Sequence, residues 1–299
     1  MCLVKDVSSF LKELSNRQKF TDCLNDDELF FRRHADLNCK LKPAIYRDTY
    51  KGKENYFYNE IISLNPEEFI NEQTTIEKLV KMQHYGVPTR LLDITKNPLV
   101  ALFFACQSSK NEKNEESNGK VFIFKVPKID IKYYNSDTIS IIANLAKMER
   151  NFLLQEVFES LIFNKQEINN ILKIFKPDSK YKTFYEKEKI YKYIYSYKKG
   201  ELLKEIVKNK EKEDVDLFEP IRNKFNKHGS ILRLYHEICN DEKQFFNIIN
   251  PSDFNNCVLL KAKQNNPRII KQSGAFFIFG IDTGINDLGG NTKINNYNQ

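Results

Sequence analysis

Apolar residues recur along the 299-residue chain at two periods, and the switches between those periods mark the elements. Asp6 is a capping residue type, and Phe10, Leu11 and Leu14 behind it lie on one helical stripe, which predicts a helix running to about Phe20. Leu29-Phe30-Phe31 reads as a short strand ending at Arg32, so the polar residues that follow sit at a strand exit. Thr74 or Thr75 caps a helix carrying Ile76, Leu79, Val80 and Met82, and Gly86 with Pro88 stops it, leaving His84 and Tyr85 at its end. Thr89 to Ile94 is short and apolar enough for a buried strand, and Pro98 opens a helix through Leu99, Val100, Leu102, Phe103 and Phe104. Asp93, Thr95 and Asn97 then fall at the turn between them. A strand-to-helix turn displays polar side chains beside helix N–H donors, a setting suited to an anionic or polar ligand.

Lys110 to Lys120 is polar and reads as a loop, and Lys120 to Val126 returns as a strand. From about residue 138 to 237 the spacing is helical, with Ile141, Leu145, Phe152, Val157, Leu161, Ile168 and Leu172 on the stripe, which predicts a helical insertion. Strands are predicted again at Val258–Lys263, Arg268–Lys271 and Ala275–Ile281. The expected class is therefore α+β: a mixed β-sheet formed by N- and C-terminal segments, with flanking helices and a helical insertion about 138–237, in a single domain over 1–281. Residues 282–299, rich in Gly and Asn, are expected to form a flexible tail.

A hydrophobic content of 41 % with 23 Phe and 15 Tyr is that of an ordinary globular protein. The net charge of +7 is below what a dedicated nucleic-acid module carries. Its uneven spread changes the picture in one place. Lys180 to Lys212 holds eleven Lys against five Glu, interleaved with Tyr181, Tyr185, Tyr191, Tyr193, Tyr195 and Tyr197. That pattern fits either a phosphate-tracking, base-stacking surface or a solvated helical hairpin with inward tyrosines, and the mixed charges favour the hairpin. Cys2, Cys23, Cys39, Cys106, Cys239 and Cys257 form no Cys-x-x-Cys pair and have no His at finger spacing, so neither zinc nor a disulfide framework is expected. With no leader and no long apolar run, the expected location is cytoplasmic, with no membrane partner. P-loop, dinucleotide-fold, zincin and nucleophile-elbow motifs are all absent.

Arg32 is the first candidate for chemistry, because a guanidinium grips phosphate or carboxylate with two prongs and keeps its charge at any cellular pH. The competing reading is an ion pair with Asp36, Asp93 or Glu60. His34 and His84 are candidate proton carriers, set against roles as structural hydrogen-bonder and helix cap. Arg90 and Asp93 can pair with one another or with Arg32. Thr95 and Asn97 add a hydroxyl and an amide at the same turn. Gln272 stands beside Gly274, where close backbone approach is possible, and Arg268 is a further candidate in the same block.

Four blocks of sequence then combine. Phe31-Arg32-Arg33-His34-Ala35-Asp36 is followed by Leu41, Pro43 and Ile45-Tyr46-Arg47; next come Gln83 to Ala105, Gly119 to Phe124 with Ser136-Asp137-Thr138, and Asn266 to Phe276. Their order over roughly residues 28 to 281 resembles the FRG-domain family, bacterial and phage proteins named for a Phe-Arg-Gly motif. Arg33 stands where that family usually has glycine. The layout of a first-strand Arg, a middle turn with Thr and a last-strand polar residue further resembles ADP-ribosyltransferases. That resemblance implies NAD as substrate, Arg32 on its phosphate, Thr95 beside the nicotinamide ribose and Gln272 near the usual glutamate, with Asp93 as a replacement carboxylate. It also implies a macromolecular target, protein or nucleic acid, and the family's occurrence in bacteria and phages implies a toxin or phage-defence role. The alternative is a non-catalytic module that binds a nucleotide, nucleic acid or protein.

Overall fold

The computed structural model describes residues 4–19, 27–37, 39–110, 116–149, 157, 219–246, 248–249, 253–254, 257–264, 267–281 and 295–296. Its centre is an antiparallel pair, β1 (Asp27–His34) and β3 (Lys120–Pro127), in register from Asp27 opposite Pro127 to His34 opposite Lys120. β2 (Leu91–Thr95) lies on the other side of β1. β2 pairs along its whole length with β6 (Gly274–Phe279), which pairs in turn with β5 (Cys257–Lys261). β4 (Ile131–Tyr133) adds the one parallel pairing among the described residues, to β5, and β7 (Asn295–Asn296) edges β3. The seven-stranded order β4-β5-β6-β2-β1-β3-β7 is thus a mixed sheet built from N- and C-terminal segments, and the fold class is α+β.

Alternation along the strands divides the core in two. Phe30, Leu92, Ile94, Phe122, Phe124, Phe277 and Phe279 point to one face, covered by Leu41, Ile45 and Tyr46 of the crossing segment that follows β1. Leu91, Phe276 and Ile278 point to the other. There they meet Ile76, Leu79 and Met82 of α3 (Thr75–His84) and Ile139 and Ile142 of α5 (Asp137–Asn144). Farther along the same face, Phe31 packs with Leu14 of α1 (Val7–Lys19) and Ala101 of α4 (Pro98–Ala105). Tyr58 of α2 (Glu54–Leu64) joins the core formed by α3 and α5 on this face.

α3 begins with a capping box, in which Thr74 accepts from the Glu77 N–H while the Glu77 carboxylate accepts from the Thr74 N–H. Outside α5, the helices α6 (Glu219–Lys227) and α7 (Gly229–Asp241) add a third core around Phe225, Leu234, Ile238 and Phe254. A polar joint ties this helical unit to the sheet layer: Asp241 accepts from the Thr75 N–H at 2.8 Å, from Asn144 at 3.0 Å and from Lys147 at 3.2 Å.

Three expectations change. β1 continues past Arg32 to His34, because β3 pairs with every residue of it. Residues Arg268–Lys271 are not a strand but part of a short helix, α8 (Pro267–Lys271): Pro267 has no N–H for a ladder and a φ suited to a first helical turn. The sheet also gains β4, too short for periodicity to reveal. The Lys/Tyr-rich stretch Tyr181 to Tyr197 lies outside the described residues, as does most of the expected insertion and tail. No helix among the described residues is long and apolar enough to cross a membrane.

Candidate functional site

β1 and β2 share a single bridging pair, Phe31 opposite Thr95. On one side of that pair the strands part, and a side chain enters the split. Arg32 Nη1 donates to the main-chain carbonyl of Asp93 and lies 3.9 Å from its Oδ2. The guanidinium is largely buried, and its Nε has no hydrogen-bond partner. Burial, with Arg33 and Arg47 adding to it and Asp93 opposing, lowers the Arg32 pKa to about 10, still charged at neutral pH. Asp93 is held from behind, where Gln83 Nε2 donates to its Oδ2 at 2.8 Å and Gln83 Oε1 accepts from the Thr89 hydroxyl at 2.6 Å.

The split opens into a cleft of about 300 Å³ lined by Arg32, Arg33, His34, Asp36, Cys39, Arg47, Asp93, Thr95, Phe104 and Gln272, among others. Three arginines therefore converge from both faces of β1 and from the crossing segment. Arg33 lies over the Phe104 ring at 4.6 Å, and Arg47 projects, exposed, from the end of the turn Ala44–Tyr46. His34 is buried edge-on against Phe122, with ring centroids 5.0 Å apart. Burial first, then the charges of Arg32, Arg47 and Arg33, depress its pKa to about 4, so the imidazole is neutral at physiological pH.

The cleft thus brings together Arg32, His34, Asp93, Thr95 and Gln272. Their polar atoms are not equally available. The Thr95 hydroxyl donates to the Gln272 carbonyl at 2.5 Å and accepts from the Asn97 N–H at 2.9 Å, so it ties the β2–α4 turn to the approach of β6. Asn97 caps α4, its Oδ1 accepting from Leu99 and Val100. Gln272 is half-buried and precedes Ser273, whose φ of 47° makes the sharp entry into β6.

Two other candidates sit elsewhere. Arg90 is buried beneath the sheet's far end, where Glu54 takes its Nε at 3.2 Å and its Nη2 at 2.5 Å, and the Phe279 and Gly280 carbonyls take Nη1 at 3.1 and 3.2 Å. It pairs with neither Asp93 nor Arg32 and is a structural clamp. His84 lies against Phe276 and borders a different cavity, of about 340 Å³, with Lys81, Tyr134 and Lys263. Arg268 belongs to α8, and its side chain lies outside the described residues.

Arg33, Arg47 and Gln83 were not singled out by sequence reasoning as ligand or support residues. Strand alternation sends Arg33 to the face opposite Arg32, and only a cleft that runs through the sheet recruits both. Among the described residues no group of three or more His, Cys, Asp or Glu side chains could hold a metal ion.

No curated protein and no solved structure matches the chain. Residues 27–114 match the family model of the FRG domain, a stretch that includes Arg32, Arg33, His34, Arg47, Gln83 and Asp93. The chain carries an FRG domain, and the arginine-lined cleft is built chiefly from it.

Proposed function

We propose that the cleft binds the phosphate of a nucleotide. The observation that carries this reading is the convergence of Arg32, Arg33 and Arg47 on one cleft, where burial first and then the charges of Arg33 and Arg47 weigh against the charge of Arg32. Like charges brought together at a partly buried place await an anion, and planar guanidiniums match phosphate oxygens. Asp36 and Asp93 leave a net positive cleft, and the Arg33–Phe104 stack offers a flat surface beside it for a base. NAD, ADP and AMP are the first candidates.

Calorimetric titration with these nucleotides tests it. Replacing Arg47, an exposed residue at the end of its turn, by Ala should weaken binding by about tenfold, the size of one charged hydrogen bond, and leave the melting temperature unchanged. No binding to the wild-type protein at millimolar nucleotide, or equal affinity for the Arg47→Ala variant, overturns the reading.

A second reading is favoured by the exposed Asp93 carboxylate, oriented by Gln83 beside the arginines. A carboxylate so placed can stabilise the positive ribose that forms when the nicotinamide bond of NAD breaks. Thr95, occupied by the backbone, supports this reading less than Asp93 does. Release of nicotinamide from NAD, lost in Asp93→Asn, would establish the enzyme. Transfer of label from NAD to protein or nucleic acid in a lysate would give it the macromolecular target that a role in bacterial conflict requires.

A further inference from the structure

Two buried polar atoms in the cleft have no hydrogen-bond partner, Arg32 Nε and His34 Nδ1. They stand two residues apart on β1 and so share a face of the strand. Their chemistry is opposite. Arg32 Nε–H can only donate. The imidazole hydrogen-bonds the Cys39 main chain in the sense that favours its charged form, so it is the donor in that bond. With Nδ1 unpartnered, the donor is Nε2, and the neutral ring keeps its lone pair on Nδ1.

The groups around that lone pair are mostly cationic. Arg32 and Arg33 lie on its own strand, Arg47 on the crossing segment and Lys120 opposite it on β3; against them stand the carboxylates Asp36 and Asp93, beside the Cys39 thiol. Burial first, and then this field, keep a proton off His34 until an anion enters. A phosphate oxygen that approaches Nδ1 brings only lone pairs of its own, and two acceptors facing each other in a buried place are unfavourable unless a proton lies between them. A terminal phosphate monoester can hold that proton and takes it up from solvent near neutral pH, because its second ionisation falls at about pH 6. A bridging diphosphate, such as that of NAD, has no such proton near neutrality.

We propose that the cleft selects a terminal phosphate monoester over a bridging phosphate, with His34 Nδ1 and one phosphate oxygen sharing a single proton while Arg32 Nε donates to a second oxygen. His34 is then a specificity-determining residue. The proposal rests on the phosphate-binding reading above and can fail without it.

Calorimetry of the full chain with AMP, NAD and adenosine, in two buffers of different ionisation enthalpy at neutral pH, counts the protons taken up. With four histidines in the chain, ring-nitrogen NMR follows His34 directly, assigned by its absence from His34→Gln. AMP should bind about tenfold or more tightly than NAD, with uptake of about one proton per AMP. His34 should titrate in the acid range alone and in the neutral range with AMP. His34→Gln, with folding checked by thermal melts, should bind AMP without proton uptake. Should that variant not fold, the wild-type NMR titration decides. AMP binding with no proton uptake and an unmoved His34, or NAD binding as tightly as AMP, overturns the proposal and leaves the phosphate cleft standing. If neither AMP nor NAD binds, both readings fall.

Discussion

Arg90 and Arg32 show how differently one residue type is used within a single sheet. Arg90 has each guanidinium nitrogen engaged by Glu54 or by the carbonyls at the end of β6. Burial, the largest influence on it, works against its charge, but Glu54 and Tyr46 outweigh burial and its pKa ends above the ordinary arginine value. Replacing Glu54 by Ala strands that charge. Urea denaturation should then show a loss of about 3–5 kcal/mol, while the folded fraction binds nucleotide as before; a loss below about 1 kcal/mol would mean the pair is not holding the fold. Arg32, by contrast, retains an unpaired Nε–H inside the cleft. Sequence spacing suggests that Arg90 meets Asp93, three positions away, but alternation sends such residues to opposite faces, and the true partner, Glu54, lies 36 residues upstream at the start of α2. Gln83 was hidden for a related reason. Nothing in a helix stripe says that its last turn reaches under a neighbouring strand to hold Asp93.

Elements marked by backbone chemistry were legible; those defined by tertiary partners were not. Pro98 and Asn97 announce α4, and the capping residues announce α3, because a missing N–H and a side-chain acceptor act locally. Ile269 and Ile270 read as strand, yet Pro267 one turn earlier excludes them from a ladder and α8 results. The most demanding junction between elements is carried by Gly119. A Cβ there would run into the carbonyl oxygen of Ala105, so the end of α4 lies directly on the entry to β3. Gly119→Ala should destabilise by about 1–3 kcal/mol through forced backbone movement. Gly229→Ala is the internal comparison: it begins α7 and its Cβ would meet nothing within 4 Å. That variant should be neutral or slightly stabilising, since Ala is the better helix former. Equal thermal melts for the two variants would dismiss the close approach at Gly119.

At the scale of the molecule, the stretch matched as an FRG domain lacks strands that complete its sheet. Residues 27–114 include β1 and β2, which share one bridging pair, but neither β3 nor β6, which give those strands their full ladders. Strands from both ends of the chain meet in one sheet, where β6 sits between β5 and β2. A fragment of residues 27–114 should therefore show neither protected amides nor a cooperative melt. A chain ending at residue 256 should leave the amides of Leu91 to Thr95 open to hydrogen exchange. A cooperative melt of the short fragment would show instead that the cleft can be made without its C-terminal wall.

The same strand order also sets a clock during synthesis. β2 leaves the ribosome roughly 180 residues ahead of β6, its full-length neighbour, and at about 5–20 residues per second that interval lasts roughly ten to forty seconds. Throughout it, Leu91, Leu92 and Ile94 are made but have no strand to shelter them on that side. The nascent chain therefore passes through a prolonged sticky stage, and its yield in a cell depends on chaperone supply and translation speed over the stretch between the two strands.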